Sequence, residues 1–145
     1  MGNKKRINRQ TWYYEFAKLT AKRSTCLRKQ VGCIFVLDKR IIAMGYNGVL
    51  PGVNPEEGLD EEGHSKTVHA EANAIAYCAK YGIPTNNTTV YCTLQPCFKC
   101  AELLIQAGVK EVHFWEEYRD ESGLDLLIKH NIKVFYKYAE CIQNS

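Results

Sequence analysis

Apolar positions recur along this chain in two rhythms, and the changes of rhythm mark out its elements. Trp12, Phe16 and Leu19 fall at helical spacing and predict a helix over about Arg9–Arg23, with that stripe facing a core. Val31–Leu37 is β-branched and apolar, Asp38-Lys39 reads as a turn, and Ile41–Tyr46 resumes the apolar run, so a hairpin is expected. Gly45-Tyr46-Asn47-Gly48 and Pro51-Gly52 punctuate the end of that strand. A loop then runs to about Val68, long enough that it is expected to be functional or mobile. Beyond it the pattern alternates between a helix over Ala70–Tyr81, a strand over Thr89–Leu94 and a helix over Cys97–Ala107 opened by Pro96 and stopped by Gly108. A strand over Glu111–Trp115, a helix around Gly123–His130 and a strand over Lys133–Tyr136 follow. Strands alternating with helices predict an α/β sandwich with parallel strands in its second half. No repeat, low-complexity tract or linker divides the chain, which reads as one domain over residues 1–145, and the tail around Cys141 carries no pattern.

Length and composition agree with that reading. A domain of 145 residues buries roughly 68–70% of its unfolded surface, enough for a core without staples. With 46% hydrophobic and 24% charged residues the chain reads as soluble and globular. No stretch approaches the run of about 20 apolar residues that a membrane span needs. Met1–Arg9 is polar and basic with no apolar stretch behind it, so no signal peptide is expected. Seven cysteines, an odd count, then point to thiols or metal ligands in a reducing, cytoplasmic setting. A net charge of +3 is too small for a nucleic-acid-coating surface. The acidic run Glu56, Glu57, Asp60, Glu61 and Glu62 would repel a polyanion.

Two short motifs carry the chemistry. His69-Ala70-Glu71 opens one predicted helix, and Pro96-Cys97-Phe98-Lys99-Cys100 opens another. Catalytic zinc takes three protein ligands of imidazole, thiolate or carboxylate type and keeps one position for water, and His69, Cys97 and Cys100 supply such a set. Cys97 and Cys100 lie three apart, so on a helix they share a face. Both fall in a first turn, where the helix dipole favours thiolate. Pro96 loses nothing there, because its missing N–H would be unpaired anyway. Zinc with two thiolates and a neutral imidazole is formally neutral and should acidify water less than an all-histidine site does, so a nearby base helps. Glu71 stands two residues from His69 and fits that role.

The bland alternatives are weaker. A structural zinc needs a fourth ligand, and no second Cys-x-x-Cys exists. A redox pair would leave His69 and Glu71 without a role. Cys26, Cys33, Cys78, Cys92 and Cys141 read as packed or incidental cysteines, and His64, His113 and His130 as surface or core residues.

With their surroundings these motifs resemble the deoxycytidylate (dCMP) deaminase family, whose wider superfamily shares the H-x-E and P-C-x-x-C signature. The resemblance takes in Arg23-Ser24-Thr25-Cys26, Val31-Gly32 and Ile42–Gly48 with Pro51 and Gly52. It continues through His69–Glu71 with Asn73-Ala74-Ile75, Tyr91–Leu94 before Pro96-Cys97, and Gln106–Lys110, and ends with Tyr118, Asp120 and Gly123-Leu124. It covers about residues 11–136 in the family's order. It implies a cytidine-deaminase-like fold, a three-layer sandwich of a five-stranded mixed sheet with helices on both faces. It also implies one zinc (Zn2+) per subunit, homo-oligomers that are commonly hexamers, and control by dCTP as activator and dTTP as inhibitor, each with magnesium (Mg2+). By the same analogy Asn47 resembles the residue that holds the deoxyribose or base, and Tyr46, Gly48 and the turn to Gly52 resemble an effector-binding segment. Three departures stand out. Gln95 precedes the proline where other residues are commoner, the loop from Val53 to Lys66 lacks the cysteine of a second zinc, and Cys33 replaces a usual alanine.

The implied reaction is hydrolytic. Zinc holds a water, Glu71 takes its proton, C4 of the cytosine is attacked, and the amino group leaves as ammonia. The Ala70 N–H, at a helix start, would meet the base carbonyl. Ser24, Arg28, Lys29, Tyr118 and Arg119 are the candidates for the substrate phosphate, by charge and hydroxyl chemistry. Three alternatives stay open: dCTP as a further substrate, a nucleic-acid base deaminase of the same superfamily, and an inactive zinc- or nucleotide-binding regulatory module. The modest charge argues against a nucleic-acid partner, and no membrane partner is expected.

Overall fold

A two-residue turn sets the register of the first hairpin. Asp38 and Lys39 both take positive φ, 48° and 69°, which suits the right-handed twist of the strands they join. Those strands are β1 (Gly32–Leu37) and β2 (Arg40–Tyr46). In this computed structural model the described residues are 5–26, 28–57 and 67–137, with the backbone of 141–142. On its other side β1 pairs antiparallel with β3 (Thr89–Leu94), and β4 (Glu111–Glu116) and β5 (Lys133–Tyr136) follow in parallel. A two-residue strand, β6 (Cys141–Ile142), closes the edge antiparallel to β5. The order is β2-β1-β3-β4-β5-β6, the expected five-stranded mixed sheet with one short addition. Two residues are too few to show a period, so β6 left no signal in the sequence.

Among the described residues four α-helices flank the sheet: α1 (Arg9–Ala21), α2 (Ala70–Tyr81), α3 (Phe98–Gln106) and α4 (Ser122–Lys129). The alternation along β1 assigns the faces. Cys33 and Phe35 pack with Ala74, Cys78, Leu104 and Leu127 of α2–α4, whereas Ile34 and Val36 pack with Tyr13 of α1 and with Tyr91 and Trp115. Cys33, Cys78 and Cys92 are buried thiols, as their apolar surroundings predicted.

The stripe expected to face the core from α1 does not. Trp12 and Leu19 are exposed and Phe16 is half-buried, while Tyr13, Ala17, Thr20 and Ala21 are the buried residues. The reason is the closeness of helix and strand. A Cβ on Gly32 would lie 2.4 Å from the Ala17 carbonyl oxygen and 2.5 Å from the Ala21 nitrogen. Only small side chains fit that seam, so the bulky residues turn outward. Tyr13 anchors the other end by donating its hydroxyl to the Lys39 carbonyl at 2.7 Å.

The loop after β2 includes a short 3-10 turn over Pro55–Glu57 and a bridge between Gly48 and Val68. Asp60, Glu61, Glu62 and His64 lie outside the described residues. Among the described residues no helix is long and apolar enough to cross a membrane.

Candidate active site

The two helices that matter for chemistry begin beside one another. His69 is the N-cap of α2 and Cys97 the N-cap of α3, both with extended backbone and neither spending its side chain on a capping hydrogen bond. Imidazole and thiol are therefore available to meet each other. His69 Nδ1 lies 3.5 Å from Cys97 Sγ and 3.3 Å from Cys100 Sγ, and all three donor atoms fall within 4.8 Å of one another. A tetrahedral zinc, with bonds near 2.3 Å to sulfur and 2.0–2.1 Å to nitrogen, spaces those atoms by about 3.6 Å. The triad thus fits zinc in both chemistry and spacing.

The protein groups alone already favour a thiolate. The hydrogen bond from Cys100 holds the Cys97 thiol down to about 4, with His69 and the Cys100 backbone helping. That same contact, with burial, pushes the Cys100 thiol up. His69 is raised, chiefly by its hydrogen bond to Cys97. Glu71, in the first turn of α2, is 4% exposed. Burial pushes its carboxyl up, opposed by the hydrogen bond with Cys100 and the charge of His69. A buried carboxylate raised in this way is a better proton acceptor than an exposed one.

A pocket of about 200 Å³ opens over these groups. His69, Ala70, Glu71 and Cys97 line it, and so do Asn47, Arg28, Lys29 and Tyr118 among the residues singled out for substrate. Lys29 also pairs with Glu116 at the surface. Ser24 and Arg119 are not in the lining. Ser24 is buried and its hydroxyl faces Asn47, while Arg119 is exposed after β4. Tyr46, Gly48 and Gly52 stand outside the lining too. Tyr46 ends β2 opposite Gly32, a Cβ on Gly48 would press on the Thr25 hydroxyl at 2.8 Å, and Gly52 takes φ 85° in an exposed turn.

Sequence reasoning missed Cys26, Val31, Thr67, Leu94 and Gln95 as pocket residues. Thr67 and Gln95 could have been found, since each lies two residues before a metal-ligand candidate. The start of α4 is packed against the same turn: a Cβ on Gly123 would lie 2.6 Å from the Pro96 carbonyl oxygen and 2.7 Å from the Cys97 carbonyl carbon. The backbone that presents Cys97 is thereby braced from below.

The chain is similar to known proteins over most of its length. The family model for the cytidine and deoxycytidylate deaminase zinc-binding region matches residues 7–116. ComE operon protein 2 of Bacillus subtilis (strain 168) is 42% identical over 118 residues, covering 79% of this chain and 62% of that protein. A probable deoxycytidylate deaminase of Caenorhabditis elegans is 42% identical over 116 residues, covering 75% of this chain and 57% of that protein. This chain thus spans less than two thirds of either curated relative. The crystal structure of the dCMP deaminase of cyanophage S-TIM5 in complex with dCMP and dUMP superposes with a TM-score of 0.81 at 32% identity, covering 88% of this chain and 95% of that one. With a family match over most of its length, and its histidine and two cysteines gathered at zinc spacing, this chain belongs to the cytidine and deoxycytidylate deaminase family.

Proposed function

We propose that this chain, acting as a single domain in the cytoplasm, converts dCMP and water into dUMP and ammonia with one zinc held by His69, Cys97 and Cys100. The observation that carries the proposal is Glu71, a carboxylate buried beside that triad and lining the same pocket. A purely structural metal site has no use for it. Zinc, when bound, supplies the acidification that makes a water molecule nucleophilic at neutral pH. Glu71 accepts one proton of the attacking water and delivers it to ring N3. It then takes the second from the hydroxyl now on C4 and passes it to the amino group, which leaves as the C4–N bond breaks. Atoms balance, because the water oxygen becomes the new 4-carbonyl and the amino group leaves as ammonia.

The remaining pocket residues orient the substrate. The Ala70 N–H, at the positive end of α2, meets the carbonyl at C2 of the base. Asn47 spends one amide hydrogen on the Lys29 carbonyl and keeps the other for the sugar or base. Arg28, Lys29 and Tyr118 gather the phosphate at the mouth, Lys29 by exchanging an exposed partner. Ser24 contributes through Asn47, and Arg119 adds positive charge outside the lining.

The proposal extends to control by dCTP as activator and dTTP as inhibitor, each with magnesium, in a homohexamer. Its support is continuity: Tyr46, Gly48 and Gly52 flank Asn47 along the chain, so a ligand on that segment would bear on a substrate residue.

An ammonia-release panel tests the proposal. Zinc-loaded protein is offered deoxycytidine, CMP, dCMP and dCTP, each with and without dCTP or dTTP as effector. The expected result is preferential turnover of dCMP, raised by dCTP and lowered by dTTP. No ammonia from any substrate, with one zinc bound per chain, would overturn it in favour of an inactive regulatory module.

A further inference from the structure

Gln95 is buried, lines the pocket, and has no part in the metal triad. It sits between the end of β3 and the Pro96-Cys97 turn. Its backbone N–H donates to the Glu116 carbonyl at 2.8 Å, extending the β3–β4 pairing by one more bond. Its side chain then reaches across the segment that follows β4. Oε1 accepts from the Tyr118 N–H at 3.3 Å, and Nε2 donates to the Asp120 carbonyl at 3.4 Å. Asp120 in turn accepts from the Ser122 N–H at 2.9 Å, where α4 begins. One buried carboxamide therefore holds the stretch 118–120 at the Tyr118 N–H and the Asp120 carbonyl, while its own backbone N–H fixes Glu116 just before.

We propose that Gln95 is a positioning residue: it holds the Tyr118 segment as a wall of the pocket and so sets how tightly the substrate is bound. The inference rests on the deaminase reading of the same site. Its geometry has two parts. The first is a satisfied buried amide, whose loss leaves the Tyr118 N–H and the Asp120 carbonyl without those bonds. The second is location, because Gln95 and Tyr118 both face the pocket and no hydrogen bond joins Gln95 to Glu71, His69, Cys97 or Cys100 among the described residues. Loosening the wall costs binding and spares the proton transfers.

The test uses zinc-loaded protein, dCMP as substrate, and Gln95→Met, which keeps the side-chain length and removes both hydrogen bonds. KM is expected to rise about tenfold, as the loss of one or two modest hydrogen bonds implies, with kcat held within about threefold. The effect on KM should largely vanish in a Tyr118→Ala background, because both changes disable the same wall. Amide exchange supplies a readout independent of turnover: the Tyr118 N–H should exchange about tenfold faster in Gln95→Met, with zinc content unchanged. An unchanged KM, a fully additive double variant or unaltered Tyr118 exchange would each overturn the proposal. If Gln95→Met does not fold, the wild-type protein decides, since a Tyr118 amide exchanging at the rate of an open chain contradicts the grip. Failure of the deaminase reading itself shows separately, as absent turnover by wild-type protein with Tyr118 still protected.

Discussion

The Ser24 hydroxyl lies 2.5 Å from the side-chain oxygen of Asn47 and 2.7 Å from its backbone carbonyl, and all three groups are buried. That contact belongs to a knot. Asn47 Oδ1 also accepts from the Val31 N–H at 2.8 Å, Asn47 Nδ2 donates to the Lys29 carbonyl at 2.7 Å, and Ser24 Oγ accepts from the Cys26 N–H at 3.1 Å. The loop bearing Cys26, Arg28 and Lys29 is fastened to the residue that follows β2. Ser24→Ala should therefore lower unfolding free energy by about 1–2 kcal/mol, the range for a lost buried hydrogen bond. It should also raise KM for dCMP. Urea denaturation checks the first effect, and stability equal to wild type would refute the role given to Ser24.

Acid sensitivity should trace in part to Glu111. His113 is buried between the rings of Tyr91 and Phe135, with its Nε2 3.6 Å from Glu111 Oε2. That imidazole, with the Thr89 hydroxyl, holds the Glu111 carboxyl below the usual carboxylate range. A depressed folded-state value stabilises the protein above the ordinary carboxylate pKa, and the contribution is lost as pH falls through the lowered one. Glu111→Gln should flatten the decline in urea midpoint between about pH 5 and pH 3. A decline as steep as wild type would contradict the assignment.

The brace beneath Cys97 gives a sharper expectation. Gly123→Ala places a methyl group against backbone that cannot swing aside, so α4 or the Pro96-Cys97 turn must move. Overpacking of this kind costs about 1–3 kcal/mol. Zinc affinity should fall with stability, because the shift reaches a metal ligand. A competitive chelator titration measures it, and unchanged affinity would show that the turn is not braced by this contact.

Much of this was legible from the chain itself, for reasons that differ between elements. The strands Thr89–Leu94 and Lys133–Tyr136 and the helix Ala70–Tyr81 lie where their periodicity places them, because each carries a strong apolar pattern between clear stops. The metal triad was legible because its spacing is itself the chemistry. The face of α1 was not, since Trp12 and Leu19 mimic a core stripe while the seam against Gly32 admits only small residues. Nor was the position of Ser24. A hydroxyl near basic residues suits a phosphate by type, and only the folded loop reveals that it turns toward Asn47.

Metal removal should act on stability as well as on turnover. Cys97 and Cys100 must both be thiolates to hold a cation, so zinc binding to the folded chain should release protons. Dialysis against a chelator should abolish ammonia release and lower Tm, and stoichiometric zinc should restore both. A chelated protein with unaltered Tm and turnover would exclude a role for the metal. Cys97→Ala should behave like the chelated protein and take up no zinc.

The most direct measurement is zinc content and dCMP turnover on one preparation of Glu71→Gln. The ligands are untouched and the proton carrier is gone, so the account predicts about one zinc per chain with turnover reduced at least 10²–10⁴-fold, the range for general acid–base catalysis. Turnover near wild type in a zinc-replete Glu71→Gln protein would contradict it.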